Sequence, residues 1–232
     1  MYPRNLTWVE LKEYIGSGKG PLVLPVGSVE GHGLHLPVNT DTIIASFIAD
    51  KLAEKNKWVS LPPVTYTAAV PVRPGNVHIP TQILKEYLRS ILEHFISFGQ
   101  KEFILIMGHG GPEMKEVLVE VCDNLCRSWG TVINAFHVSR ILKDLQLVDT
   151  DSDKHAGEWE TSIVMAIDST LVKNLEFYRE CGDPRHYGVV GDPLKASPAK
   201  GLRYVEAVIK YVEESFARNV AHKKCYYNWL IK

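Results

Sequence analysis

What this chain lacks narrows its function before anything it contains. No apolar run approaches the roughly 20 residues of a membrane span, and Met1-Tyr2-Pro3-Arg4-Asn5 lacks the layout of a signal peptide. The expected compartment is the cytoplasm, where the sequon Asn5-Leu6-Thr7 would stay idle. Excess charge of one sign is also missing: 26 Lys and Arg stand against 27 Asp and Glu. No polybasic stripe offers itself to nucleic acid or an anionic membrane, which favours a small soluble partner or substrate. Cysteine is scarce, with four in 232 residues and no Cys-x-x-Cys pair. A chain of this length needs no disulfides, and Cys122 and Cys126, four apart beside Leu118 and Leu125, read as core packing on a helix. Repeats, low-complexity tracts and linkers are absent too. With 45% apolar residues to fill one large core, residues 1–232 are expected to form a single domain.

What is present is an alternation of short apolar runs with amphipathic segments. Pro21 to Gly27, Trp58 to Leu61, Glu102 to Met107 and Thr131 to Phe136 read as strands; the third is nearly continuous Phe-Ile-Leu-Ile-Met, as a strand covered on both faces should be. Thr40 to Lys55, Thr81 to Phe98, Glu113 to Ser128 and Pro198 to Val220 carry apolar residues at helical spacing. The expected class is α/β with a mainly parallel sheet and right-handed crossovers. Pro62 to Pro80, with Pro63, Pro71, Pro74 and Gly75 inside it, is too long for a simple connection and is expected to wall a pocket.

Parallel sheets place ligand sites at the carboxyl ends of their strands, and the suspicious loops fall there. Glu30, His32, His35 and Asp41 crowd into twelve residues after the first strand, and His109 follows the third within Gly108-His109-Gly110-Gly111-Pro112. A further cluster, His155-Ala156-Gly157-Glu158-Trp159-Glu160-Thr161-Ser162, opens a buried helix, where a glutamate needs a cation. Carboxylates and imidazoles together suit zinc, manganese or iron. Two divalent ions bring +4; Glu30, Asp41 and Glu160 supply −3, leaving room for one hydroxide, while His32 and His109 add neutral nitrogens. Asp41, beside both first-loop ligands, is the natural bridge at the roughly 3.5–4 Å separation of two-metal hydrolases. Metal lowers the pKa of water from 15.7 to about 7, so such a hydroxide attacks a carbonyl at neutral pH. His155 would pass a proton to the leaving nitrogen, with Glu158 as the rival acid/base. Arg73 and His78 are candidate substrate contacts. Taken singly, Glu30 and His32 are loop polars, Asp41 a helix cap and His155 a surface histidine; the coincidence of three clusters favours a metal site.

At these residues the chain resembles the creatininase, or creatinine amidohydrolase, family. The likeness lies in Pro25-Val26-Gly27-Ser28-Val29-Glu30-Gly31-His32-Gly33-Leu34-His35-Leu36-Pro37 with Thr40-Asp41-Thr42, in Gly108-His109-Gly110-Gly111, and in His155 to Ser162, with an echo at Gly75 to Thr81. The resemblance implies a three-layer α/β/α sandwich, usually a homo-oligomer and often a hexamer, with a dinuclear centre that hydrolyses an amide. It implies that Glu30 and His109 serve one metal, His32 the other, that Asp41 bridges and that His155 shuttles a proton. Creatininase proper is similar to His-Tyr-Glu where this chain has His109-Gly110-Gly111, so the carboxylate two residues past the histidine is missing, and Glu160 is expected to replace it. The tryptophans of the creatinine pocket also lack counterparts. Other members resemble deformylases of pyrimidine intermediates in flavin and deazaflavin synthesis, peptidases that mature a redox peptide, and hydrolases that open keto-inositol rings. The expected activity is therefore hydrolysis of a cyclic amide or formamide of a small molecule. The rivals are an α/β small-molecule-binding module without chemistry and a closed structural metal site, which would normally be rich in cysteine.

Overall fold

Five strands run parallel in the order β2-β1-β3-β4-β5: β1 (Leu22–Val26), β2 (Val59–Ser60), β3 (Glu102–Met107), β4 (Val132–His137) and β5 (Tyr226–Tyr227). The computed structural model describes residues 5–70, 72–223 and 225–230; Pro71 and residues 1–4 lie outside these. Side chains of the central strands alternate between two cores, as strand geometry requires. Val23, Ile104, Ile106 and Phe136 face α2 (Thr40–Asn56), α5 (Val138–Asp144), α6 (Glu158–Asp168) and α7 (Pro198–Ala221). Leu22, Leu24, Phe103, Leu105, Met107 and Ile133 face α1 (Trp8–Ser17), α3 (Thr81–Ser97) and α4 (Pro112–Trp129). Helices on both faces of a parallel sheet are the expected architecture. Among the described residues, no helix is long and apolar enough to cross a membrane.

Local chemistry explains where the elements stop. The Thr7 hydroxyl and the Glu10 carboxylate cap α1 reciprocally, and Gly18 ends it in a left-handed conformation. Leu84, Leu88, Leu92 and Ile96 form the buried stripe of α3. Gly201 lets α7 lie against α6, since a Cβ there would stand 2.0 Å from the Ser162 carbonyl oxygen. The four strands and four helices read from periodicity are all present, their bounds differing by only a residue or two. Periodicity gives no sign of α1, α5, the two-residue β5 or the 3-10 turns at Ser169–Leu171, Leu175–Arg179, Pro184–Tyr187 and Pro193–Lys195.

Cysteine usage corrects one expectation. Cys122 is buried and free, but Cys126 forms a disulfide with Cys225, tying α4 to the segment that carries β5. The two cysteines stand 99 residues apart, and only the adjacency of β5 to β4 brings them together.

Candidate metal centre

Strand register sets the site. Val26, Met107 and His137 share one row across β1, β3 and β4, so the loops that follow leave the sheet at one level. Gly27 and Gly108, next along, are pressed against the first turn of α2. A Cβ on Gly27 would stand 2.3 Å from Thr42 Oγ1, and one on Gly108 would stand 2.1 Å from the Asp41 carbonyl oxygen. Only glycine admits this approach, which seats Asp41 between two strand ends.

The five expected ligands converge and are buried. Donor atoms of Glu30, Asp41 and His109 lie within 4.8 Å of one another, as do those of His32, Asp41 and Glu160. Asp41 belongs to both groups, through different oxygens: Oδ1 is 3.1 Å from His32 Nε2, and Oδ2 is 3.2 Å from His109 Nδ1. Glu30 Oε1 lies 3.0 Å from His109 Nδ1, and Glu160 Oε1 lies 3.7 Å from His32 Nε2. The other Glu160 oxygen accepts from the amide of Ala156, a non-glycine residue with φ of 51°.

Three imidazoles are aimed by backbone carbonyls. His32 Nδ1 faces the Glu30 carbonyl at 3.0 Å, His109 Nε2 that of Ala68 at 3.3 Å, and His155 Nε2 that of Gly31 at 2.9 Å. Each ring gives one N–H to the chain and turns its other nitrogen toward the carboxylates, the arrangement that orients metal-binding histidines.

The charges at the site call for cations. Among the described residues, no Lys or Arg pairs with Glu30, Asp41 or Glu160; histidines alone do. Burial by itself would lower the imidazoles, yet Asp41 and Glu160 hold His32 well above its usual range, and Asp41 and Glu30 raise His109 to about 10. Burial would raise Asp41, but His32 and His109 hold it well below the carboxylate range. Three carboxylates sharing two nitrogens in a buried space make a donor set that fits divalent ions.

His155 joins the cluster: its ring stacks on His32 at 4.3 Å, Nδ1 lies 3.7 Å from Glu30 Oε1, and two backbone hydrogen bonds to Val190 hold its own backbone. Glu158 does not. It begins α6 two residues before Glu160, about 200° away around the helix, and faces Tyr204, Lys200 and Thr150. His35 lies behind the site, contacting Tyr178 Oη at 3.2 Å and Thr161 Oγ1 at 2.9 Å. Arg73 donates to the carbonyls of Tyr187 and His186, so its guanidinium is spent on a neighbouring loop. His78 Nδ1 faces the Ala69 carbonyl at 3.0 Å, next to the carbonyl that aims His109.

Sequence reasoning misses Ser28, whose hydroxyl donates to Asp41 Oδ2 at 2.7 Å; the residue stands inside the first motif, but nothing in its type marks the role. It also misses Asn76, whose side-chain oxygen accepts from the Gly31 amide at 2.8 Å, and His137, a lone histidine at a strand end.

Residues 4–216 match the family described as Creatininase, creatinine amidohydrolase. A mycofactocin precursor peptide peptidase from Mycolicibacterium smegmatis is 32% identical over 215 residues, covering 79% of each chain. A 3-dehydro-scyllo-inosose hydrolase from Thermotoga maritima is 31% identical, covering 83% of this chain and 75% of its own. The fold matches solved creatininases, including a Zn-Zn form at a TM-score of 0.78 and a Mn form at 0.77. Each match covers 91% of this chain, with 96% and 97% of theirs, at 22% and 21% identity.

Proposed function

The chain belongs to the creatininase family, and from that premise we propose that it is a metal-dependent hydrolase cleaving the C–N amide bond of a small polar molecule. The observation that carries this reading is Asp41, whose two carboxylate oxygens face two separate donor groups. Glu30, Asp41 and His109 would hold one divalent ion, and His32, Asp41 and Glu160 a second; zinc, manganese and iron all suit the set. Ions bound there supply Lewis acidity, acidifying water and polarising a carbonyl oxygen.

The remaining work falls to the chain. Ser28 fixes the rotation of Asp41, so that each oxygen keeps to its own group. His155 is the one imidazole of the cluster that is substantially exposed, and its Nδ1 is turned toward the donors; it carries a proton to the leaving nitrogen. Its clamp to Gly31 and Val190 holds it ready. His78 and the described residues of the 62–80 segment form a wall for the substrate. A cyclic amide and a formamide both present a carbonyl bonded to nitrogen, as this step requires; opening a keto-inositol ring would instead break a carbon–carbon bond, with the proton delivered to carbon. The reading extends to a homo-oligomer, whose size light scattering reads directly.

The test is metal analysis of the purified protein beside Asp41→Ala. Close to two equivalents per chain, lost in the variant, with amide hydrolysis abolished by chelation and restored by added metal, is the expected result. Well under one equivalent, unchanged by the substitution and by added metal, would return the chain to a binding module.

A further inference from the structure

His155 is held at two places, and both lie on irregular stretches of chain. Its Nε2 donates to the carbonyl of Gly31 at 2.9 Å, and its backbone exchanges hydrogen bonds with Val190 at 2.8 and 3.1 Å. Gly31 belongs to a loop, and glycine constrains its own backbone less than any other residue. Val190 follows Gly188, whose φ is 81°. An imidazole that hands over a proton must keep its distance to the leaving group, since a misplacement of about 1 Å costs on the order of 100-fold in rate. The two anchors therefore need a support of their own.

Residues 72–77 supply it. The Asn76 amide donates to the Arg73 carbonyl at 2.9 Å, closing a four-residue turn with Pro74 at its second position, where the fixed φ of proline favours a turn. The side chains at the two ends of that turn reach opposite anchors. Asn76 Oδ1 accepts from the Gly31 amide at 2.8 Å, while Nδ2 donates to the Val70 carbonyl at 2.8 Å and fixes the plane of the side chain. Arg73 Nη1 donates to the Tyr187 carbonyl at 2.9 Å and Nη2 to that of His186 at 3.3 Å. The packing is close on both sides. A Cβ on Gly31 would stand 3.4 Å from Asn76 Oδ1 and 3.7 Å from Arg73 Cδ, and one on Gly188 would stand 2.4 Å from Arg73 Nη1. The Val77 amide, donating to the Val29 carbonyl at 2.9 Å, fastens the turn to the loop that carries Glu30 and His32.

Resting on the hydrolase reading above, we propose that Asn76 and Arg73 are positioning residues for His155. One turn grips both anchors, Gly31 through Asn76 and the 186–190 stretch through Arg73, so the ring keeps Nε2 on the Gly31 carbonyl and Nδ1 toward the metal donors. Arg73, whose charge suggests a substrate contact, acts instead through the carbonyls it holds.

The test joins a chemical label to kinetics on metal-loaded wild type, Asn76→Ala, Asn76→Asp, Arg73→Met, His155→Ala and the Asn76→Ala/His155→Ala double variant, with metal content measured on each. Diethyl pyrocarbonate, which acylates neutral imidazoles, is followed by mass spectrometry at His155, with the exposed His94 and His222 as internal references. Labelling of His155 alone is expected to quicken about threefold or more in Asn76→Ala and Arg73→Met, as a ring released by local opening should. Asn76→Asp, which keeps the oxygen facing the Gly31 amide, should label at the wild-type rate. On whichever of a panel of formamides and cyclic amides wild type hydrolyses, Asn76→Ala should lower kcat about tenfold with KM within about twofold, and should cost nothing further once His155 is alanine. His155 labelling unchanged in Asn76→Ala and Arg73→Met overturns the proposal, as does equal quickening at His94 and His222, loss of metal from Asn76→Ala, or a kcat loss that persists in the His155→Ala background. Failure of metal-loaded wild type on the whole panel strikes at the hydrolase reading instead, and the labelling then decides the grip on His155 alone.

Discussion

Two glutamates stand two residues apart in the first turn of α6 and live in opposite surroundings. Glu158 is completely buried and accepts from Tyr204 Oη at 2.6 Å, Lys200 Nζ at 2.9 Å, Thr150 Oγ1 at 2.9 Å and the Asp149 amide at 3.3 Å. Burial would raise its carboxyl, yet these donors hold it below the usual value. Glu160, almost as buried, has one amide donor and faces a histidine that already serves Asp41. A satisfied carboxylate fastens structure; one short of donors is available to a cation. Glu158 thus fastens the 149–157 segment that delivers His155, while Glu160 looks into the site.

The contrast breaks most visibly in activity. Glu160→Gln is expected to cut amide hydrolysis by more than about 100-fold and to lower metal content, because a lost ligand costs at least what a lost supporting partner does. Glu158→Gln should keep its metal, so equal metal loss in both would erase the distinction. His155→Ala sharpens it further: turnover falls by about 100-fold or more while metal content stays normal, and a parallel fall in metal would make His155 a ligand. In stability the ranking reverses. Glu158→Ala is expected to cost about 2–3 kcal/mol by urea unfolding, since it removes the acceptor of the Tyr204 and Thr150 hydroxyls, whereas chelated Glu160→Gln should unfold at or above the chelated wild-type midpoint.

The smallest effect is in protons. His32 and His109 are raised, so both are charged at pH 7 in chelated protein, and loading ions there releases protons. Calorimetry in two buffers of different ionisation enthalpy reads the number, and metal affinity rises with pH. The stability these imidazoles give the chelated protein is complete below 6.5 and lost as pH climbs through about 10 for His109. Asp41, depressed, contributes above its ordinary 3.8 and loses that contribution as pH falls. His35, lowered to about 4 by burial and then by His32, adds stability above 6.5 that fades toward pH 4.

The sheet is legible in the sequence because its strands are covered on both faces and spell unbroken apolar runs, and the helices because their buried stripes recur every three or four residues. The ligands are legible because carboxylates and imidazoles cluster just past those runs. Tertiary adjacency is not. Glu158 and Glu160 look alike in one dimension, and only the neighbours supplied by α7 separate them. Cys126 keeps its helical spacing to Cys122 yet pairs with Cys225 because β5 lies beside β4. His137 carries no pattern at all, since a single histidine between a strand and a helix becomes informative only when Gly110 is found beneath it. Arg73 likewise gives no sign that carbonyls from residues 186 and 187 occupy its donors.

The two glycines beneath Asp41 have a mechanical consequence. Because Gly27 and Gly108 let the start of α2 rest directly on the ends of β1 and β3, the shared carboxylate is gauged by the spacing of neighbouring strands, about 4.8 Å. Strand spacing is among the stiffest lengths a protein possesses, whereas loops drift as sequences change. The donor groups thus inherit a ruler from the sheet, and the loops around them are free to be rewritten for new substrates without losing the measure.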